Sequence, residues 1–434
     1  MTICPGIHDL AEMKDGLLAR LRLPGGLLSS EKAEIIAELA REYGNGEIDL
    51  TNRANLQLRG ITADTKPALV AALLDAQLVS KDPIHDRRRN ITIDPLSGLN
   101  FAQQNELVDC SFFAKAIDAF LKAWPLREQL SPKFSFVLDG GGRTNIAALP
   151  HDLAFTALRE PGAESDDYEQ KYTLSINGSP TPYAYPESVL IGGIEITLKK
   201  LIALSGEEPL RMKSLTEKKG REAVIEEIGK FLPISWRAAV EVEEQLKTHP
   251  ILQPLRAPLK ESNGRYCLPL LAPTGRLTHD QLSALAEINR QYTYGQLRLT
   301  PWQGIILAGV KEPDINAVWS RAEAIGLLTK EADQTLTIIS CAGASGCIHG
   351  VFETKNKALE IRDALRNKGQ QTPRTIHLSA CEKGCASREK SDCLIMGKRG
   401  SDEISLHNNA APAKGLVGEK ITADTIIPAL KKLF

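Results

Sequence analysis

The chain has 434 residues, 42% of them hydrophobic and 25% charged, with a formal net charge of -1; this is the composition of an ordinary globular protein with room for two to four domains. An aromatic content of 5% and a near-neutral charge argue against a general nucleic-acid binder, whose surface is basic. No apolar run nears the ~18 residues of a membrane span, and the N-terminus "MTICPGIHDLAEMKDG" lacks the basic-then-apolar order of a secretory signal. The expectation is a cytoplasmic protein that engages neither membrane nor nucleic acid.

Along the chain, the first organised stretch is also the first half of a repeat. Residues 25–60, "GGLLSSEKAEIIAELAREYGNGEIDLTNRANLQLRG", lie without a gap over residues 274–309, "TGRLTHDQLSALAEINRQYTYGQLRLTPWQGIILAG". Gly26/Gly275, Glu38/Glu287, Tyr43/Tyr292, Gly46/Gly295, Thr51/Thr300 and Gly60/Gly309 are identical across it. Each copy predicts strand, helix, strand, strand, with Ser29 or Ser30 and Thr278 near the helix starts and Ile35, Ile36 and Leu39 at helical spacing. The period is too long for a solenoid. The following segments echo one another too: "ITIDPLSG" (91–98) resembles "LTIISCAG" (336–343), with Leu96 where the second copy has Cys341. The expected organisation is A–B–A′–B′ about a pseudo-twofold: 1–78, 79–245, 246–328 and 329–434.

Arginines mark the first half. Arg20 and Arg22 are two apart on a predicted strand and so share a face. Arg53 and Arg59 flank Gln57, and even spacing places all three on one strand face. Arg87, Arg88 and Arg89 precede a strand, and Lys133 and Arg143 bracket "FSFVLDGGG". Arginine binds carboxylates bidentately and keeps its charge, and glycine turns offer backbone N–H groups to anions. A single such arginine is more often solvated surface. For Arg53 the repeat speaks against that reading, because the second copy has "TPWQG" where the first has "TNRAN". A ligand with several carboxylates is inferred.

The second half carries the metal chemistry. Strand-like runs end at Cys341 and at Cys381, and the set is C-x5-C (Cys341, Cys347), 33 residues, then C-x3-C (Cys381, Cys385). Four thiolates suit tetrahedral zinc or an iron–sulfur cluster. C-x5-C is wide for a zinc knuckle, and the glycine and alanine between favour a chain wrapped around a larger object, so a [4Fe–4S] cluster is preferred. The other cysteines, Cys4, Cys110, Cys267 and Cys393, show no disulfide-like spacing, as befits a reducing compartment. His85, His349 and His377 lie near these motifs, but no histidine–carboxylate pair stands out and no mononuclear iron ligand is named. Neither "LIGG" nor "DGGGR" is a dinucleotide fingerprint.

The order "LRLPGG", T-x-R-x-x-x-Q, "RRN", "PKF", C-x5-C and C-x3-C resembles the siroheme nitrite and sulfite reductases over nearly the whole chain. The resemblance implies an α+β, internally duplicated fold with two ferredoxin-like half-domains and two cluster/sirohaem-type domains. It also implies that Cys341, Cys347, Cys381 and Cys385 ligate a [4Fe–4S] cluster. Arg20, Arg22, Arg53, Arg89 and Lys133 match the family's positions for tetrapyrrole carboxylates and anionic ligand; Gln57, Arg59 and Arg143 join them from the reading above. "CPG", "GNGEIDLTNRANLQLRG", "KFSFVLDGGGR", "LTPWQGIIL", "CAGASGC" and "SACEKGCAS" are most similar to the precorrin-3B synthase family of aerobic cobalamin synthesis.

That branch implies a monooxygenation of precorrin-3A at C20 with γ-lactone closure. It would use O2, a mononuclear non-haem iron, and NADH whose electrons arrive through a partner reductase. The bridging role of the last cysteine toward siroheme iron does not carry over to Cys385 if no sirohaem is bound. Sulfite reductases carry an R-K-F-K run where this chain has Pro132-Lys133-Phe134-Ser135; one cation is missing, which argues against sulfite reduction and less against nitrite. The alternative is a siroheme-dependent nitrite or sulfite reductase, and a bare electron carrier is a remote third. The duplication supplies a pseudo-dimer within one chain, and a monomer is expected.

Overall fold

The computed structural model describes residues 6–99, 101, 108–158, 169–233, 254–329, 336–365 and 374–433. Cys4 and the expected boundary at 245/246 lie outside them. No helix among these residues is long and apolar enough to cross a membrane.

The first unit runs β1 (Ala11–Met13), β2 (Gly16–Leu21), β3 (Leu27–Ser29), α1 (Ser30–Tyr43), β4 (Glu47–Leu50) and β5 (Leu56–Ile61). The second runs β6 (Ile91–Ile93), α2 (Ser111–Ala123), β7 (Phe136–Asp139), β8 (Leu153–Ala157), β9 (Lys171–Ile176), β10 (Ser179–Pro186) and α3 (Leu190–Ser205). The third runs β11 (Leu259–Lys260), β12 (Tyr266–Leu271), β13 (Arg276–Thr278), α4 (His279–Tyr292), β14 (Gln296–Leu299) and β15 (Gly304–Val310). The fourth runs β16 (Leu336–Ser340), α5 (Lys355–Leu365), β17 (Arg374–Ser379), β18 (Ser391–Gly397), β19 (Ile404–Ala410) and β20 (Glu419–Ile421).

The repeat folds as strand, helix, strand, strand in both copies. Both helix starts are capped as their sequences predict. The Ser29 hydroxyl accepts from Lys32 N–H, and Thr278 and Gln281 form a reciprocal capping box.

The first strand of each copy does not stay at home. The sheets are ordered β1-β2-β5-β4-β13 and β11-β12-β15-β14-β3, so β3 pairs with β14 and β13 with β4. Each ferredoxin-like sheet is completed by a strand of the other copy. A single apolar core, including Ile36, Leu39, Ile48 and Leu58 from one copy and Leu285, Ile288, Leu297 and Leu307 from the other, lies between the sheets and α1 and α4. Exchanged strands and a merged core make the two halves one body, because neither can bury its apolar face alone.

The other two sheets are also equivalent. In one, β6, β7 and β8 are parallel and β9 and β10 antiparallel; in the other, β16, β17 and β18 are parallel and β19 and β20 antiparallel. Their cores are separate. The pseudo-twofold therefore relates two pairs of sheets, each pair made of unlike sequence.

Candidate functional site

β16 and β17 are parallel neighbours, with Ser340 opposite Leu378. Cys341 follows β16 directly and Cys381 follows β17 after Ala380, so both cysteine loops leave the same edge of the sheet. The loops are tied: Val351 N–H donates to Ala380 O at 3.1 Å and Cys341 N–H to Leu378 O at 3.3 Å. The Cys341 sulfur accepts the Ala380 N–H at 3.2 Å. Gly343, at φ 72°, makes the turn into the short helix between Cys341 and Cys347; a Cβ there would meet Thr354 N at 2.9 Å.

The four thiols share one electrostatic neighbourhood. Partial burial of its sulfur pushes the Cys385 pKa up, although the residue as a whole is exposed, and Cys381, Cys341 and Cys347 push it further. Burial likewise raises Cys381, reinforced by Cys341 and Cys347, while the Lys383 N–H and Arg399 oppose it. Burial and mutual repulsion favour the neutral thiols, so a cationic centre bound here would have to displace their protons. Among the described residues no three His, Cys, Asp or Glu are gathered as a single metal ion would draw them. Four soft donors on two bare loops, one already accepting a backbone N–H, fit a multi-atom [4Fe–4S] cluster.

The histidines are scattered. His85 bonds Ser80 and Asp118. His349 lies beside Lys383 and Arg399, and burial first, then those charges, lower its pKa. His377 is fully buried on β17 with neither ring nitrogen bonded, and burial pushes its pKa down to about 4.

One face of the first sheet belongs to the same region. Register places Arg20 opposite Gln57, Gln57 opposite Asp49, and Asp49 opposite Arg276, a polar row across β2, β5, β4 and β13. The other face (Ala19, Leu21, Ile48, Leu56, Leu58) is core. With its amide turned to satisfy both side chains, Gln57 accepts from Arg20 Nη2 at 2.9 Å and Nε at 3.2 Å. Arg276 Nε donates to Asp49 Oδ1 at 2.6 Å and its Nη1 to Glu47 Oε2 at 2.5 Å. Arg59, on the same face, holds Asp15 at 2.8 Å and Asp49 at 3.3 Å. Its Nη2 donates to Gly346 O at 2.8 Å, inside the cysteine loop.

The duplicated counterpart of this face is closed. Where the first sheet has Arg20, Gln57 and Arg59, the second has Pro269, Ile306 and Ala308. Ile306 and Ala308 pack with Leu96, Leu99 and Phe101 in one apolar cluster, against which Trp302 also rests. Leu96 and Trp302 are the counterparts of Cys341 and Arg53. One interface is therefore polar and set against four cysteines, and its twin is packed with apolar side chains around the buried Arg298, which bonds the Pro95 and Ser97 carbonyls.

The expected basic residues divide. Arg53 is not on the strand with Gln57 and Arg59; it sits in the turn before β5, so even spacing does not reach it. The turn brings it near Asp152, whose carboxyl pKa is raised by burial and held down by Arg211 and Arg53. Arg211 also donates to Lys133 O at 2.6 Å. Arg53 and Arg211 thus both act on Asp152, and Arg211 also reaches the backbone of Lys133, an exposed residue. Ser135 is buried with its N–H bonded to Asp152 at 2.9 Å and its hydroxyl at 3.3 Å. Arg143 is exposed beyond β7.

The remaining three serve the protein in this structure. Arg22 lies past the end of β2, wholly buried, donating to Asn90 at 3.1 Å with Asp86 at 3.8 Å. Arg89 holds both oxygens of Asp118 at 2.8 Å. Arg59 is committed as described. The sequence reading missed Asp49, Arg276, Lys355, Asp152 and Arg211. For Asp49 the signal was present, since the second copy has Arg298 in its place.

Residues 11–76 and 258–325 match the nitrite/sulfite reductase ferredoxin-like half domain. The ferredoxin–nitrite reductase of Synechococcus elongatus is 28% identical over 409 residues, covering 88% of this chain and 76% of that protein. The precorrin-3B synthase of a Sinorhizobium species is 25% identical over 398 residues, covering 91% and 80%. The structure of the Mycobacterium tuberculosis NirA protein superposes with a TM-score of 0.75 at 18% identity, covering 96% of this chain and 80% of that one; the fold is shared.

Proposed function

We propose that this chain, a member of the nitrite/sulfite reductase superfamily, is an oxygen-dependent monooxygenase converting precorrin-3A to precorrin-3B. The observation that carries the reading is the contrast between the two equivalent interfaces. The polar one adjoins Cys341, Cys347, Cys381 and Cys385; its twin is packed with Leu96, Ile306 and Ala308. A site for an anionic macrocycle beside a cluster needs the first and not the second.

Held by the four cysteines, a [4Fe–4S] cluster supplies one-electron transfer. Arg53, Lys133 and Arg20 with Gln57 bind and orient the tetrapyrrole carboxylates, and Arg143 closes the edge after β7. Arg22, Arg59 and Arg89 position these elements from within. One oxygen atom of O2 enters at C20 and the other leaves as water, with two electrons from NADH relayed by a partner reductase. A mononuclear iron belongs to the reading, and no ligand is assigned to it.

Ser135 favours the oxygenase over sulfite reduction. Its hydroxyl and N–H turn to Asp152, so the position offers no second cation to a small trianion. The likeness to a precorrin-3B synthase over 91% of the chain agrees. Nitrite reduction is the second reading, favoured by the 28% identity to the Synechococcus enzyme.

Anaerobically purified protein separates the two. A broad cluster absorption without sharp isobacteriochlorin bands, and a precorrin product one oxygen heavier on adding precorrin-3A, O2 and reductant, is expected. Sharp sirohaem bands surviving gel filtration, with nitrite consumed, would replace the oxygenase by the reductase.

A further inference from the structure

The Lys355 ammonium donates to Thr274 O at 2.5 Å and to Ser340 O at 3.3 Å, the second being the carbonyl joined to Cys341. The charges acting on it, in order of strength, are Asp49, Arg276, Cys341 and Arg59. Thr274 lies two residues before Arg276, whose guanidinium holds Asp49 at 2.6 Å, and the Lys355 charge helps to hold the Asp49 carboxyl ionised. Lys355 therefore stands between a cysteine of the candidate cluster and a carboxylate of the first half. Thr354, wholly buried beside it, donates to Cys341 O at 2.7 Å and lies 3.8 Å from the Cys341 sulfur. Lys355 begins α5, so backbone geometry fixes where its stem leaves the chain.

From this placement we infer that Lys355 is a positioning cation that raises the reduction potential of the cluster, and that Asp49 moderates it from the first half. The inference rests on the four cysteines holding a cluster, not on which tetrapyrrole is used. Reduction adds one negative charge to the cluster. A fixed, desolvated cation nearby stabilises the reduced state more than the oxidised one, because interaction energy scales with the charge it faces and is weakly screened inside the protein. An adjacent anion does the opposite. Arg276 and Arg59 hold Asp49, and Lys355 acts electrostatically on both Asp49 and Cys341, which couples the polar row to the candidate cluster cysteine.

The test is an EPR-monitored redox titration of the full-length chain with its cluster assembled, iron and sulfide being assayed on each sample. Lys355→Met is expected to shift the midpoint to more negative potential and Lys355→Arg to restore most of it. Asp49→Asn is expected to shift it the other way. Two substitutions that both disturb packing would not move the midpoint in opposite directions by damage alone. An unchanged midpoint in loaded Lys355→Met overturns the inference. If that variant fails to assemble a cluster, Asp49→Asn decides: a positive shift supports the inference and any other result overturns it. Unaltered protein without a cluster overturns both this inference and the proposed function; a normal titration series without precorrin oxidation overturns only the function.

Discussion

Arg59 Nη2 donates to the carbonyl of Gly346 at 2.8 Å across 287 residues of sequence, one residue before the candidate cluster cysteine Cys347. A Cβ on Gly346 would lie 2.6 Å from that same nitrogen. The glycine is thus a seat for a guanidinium whose other arms hold Asp15 and Asp49. Through it the first sheet grips the loop that carries two thiols.

Removing the guanidinium leaves two carboxylates and a carbonyl without their donor. Arg59→Ala is expected to cost about 3–5 kcal/mol of stability, the range for breaking one partner of a buried pair. Arg59→Lys recovers part of the charge but not the fork. Gly346→Ala is expected to mimic Arg59→Ala in lowering iron and sulfide content. Urea unfolding and the iron assay check this; full cluster occupancy in both variants would refute the brace.

The two kinds of cysteine should separate cleanly. Cys341→Ser, Cys347→Ser, Cys381→Ser or Cys385→Ser is expected to abolish the cluster absorption. Cys393→Ala, whose thiol is buried in the core of β18, is expected to keep it while losing a modest amount of stability, about 1 kcal/mol for a small cavity. Visible spectra of the five proteins decide.

Asp49 makes acid stability informative. Burial alone would raise its pKa, but Lys355, Arg276 and Arg59 outweigh that and hold the carboxyl at about 2. Its folded pKa lies below the unfolded value, so its contribution is present above about pH 4 and is lost as pH falls toward 2. A shift of this size is on the order of 2–3 kcal/mol. Urea midpoints measured between pH 5 and 2 should fall less steeply in Asp49→Asn than in the unaltered chain. An identical slope would mean the network does not hold Asp49 ionised.

Arg53 should affect binding and spare the cluster. A charge-assisted bond to a carboxylate is worth about 1.5–3 kcal/mol, so Arg53→Ala is expected to weaken tetrapyrrole binding roughly 10- to 100-fold with iron content unchanged. Lys133→Ala is expected to act in the same direction but less, being exposed. Equilibrium titration with precorrin-3A, followed by absorbance, measures both.

Much of this was legible in the chain. Repeat identity, caps at Ser29 and Thr278, and helical spacing gave the strand–helix–strand–strand order, because these are local preferences of neighbouring residues. Leu96, standing where the second copy has Cys341, marked the candidate cluster ligands as belonging to one half. Periodicity failed at Arg53, where a turn breaks the strand, and at Arg22, which lies beyond its strand's end. It also could not show that Arg59, Arg22 and Arg89 are each held by a distant carboxylate or amide.

By itself, then, the sequence determined that the protein is duplicated, that four thiols sit at two strand ends in the second copy only, and that Arg20, Arg53 and Arg59 of the first copy have no basic counterpart in the second. Each of these follows from composition and spacing within a few tens of residues. Only the tertiary structure decided that β3 and β13 exchange sheets, that Arg20, Gln57, Asp49 and Arg276 form one row, that Arg59 on the same face bonds Gly346 beside Cys347, and that Lys355 bonds the Ser340 carbonyl beside Cys341. Period two tells which residues share a face of a strand; it carries no information about what lies opposite that face. That is settled by which apolar surfaces must be buried together, and here the merged core of the two copies brings the arginine-rich sheet to the cysteine loops.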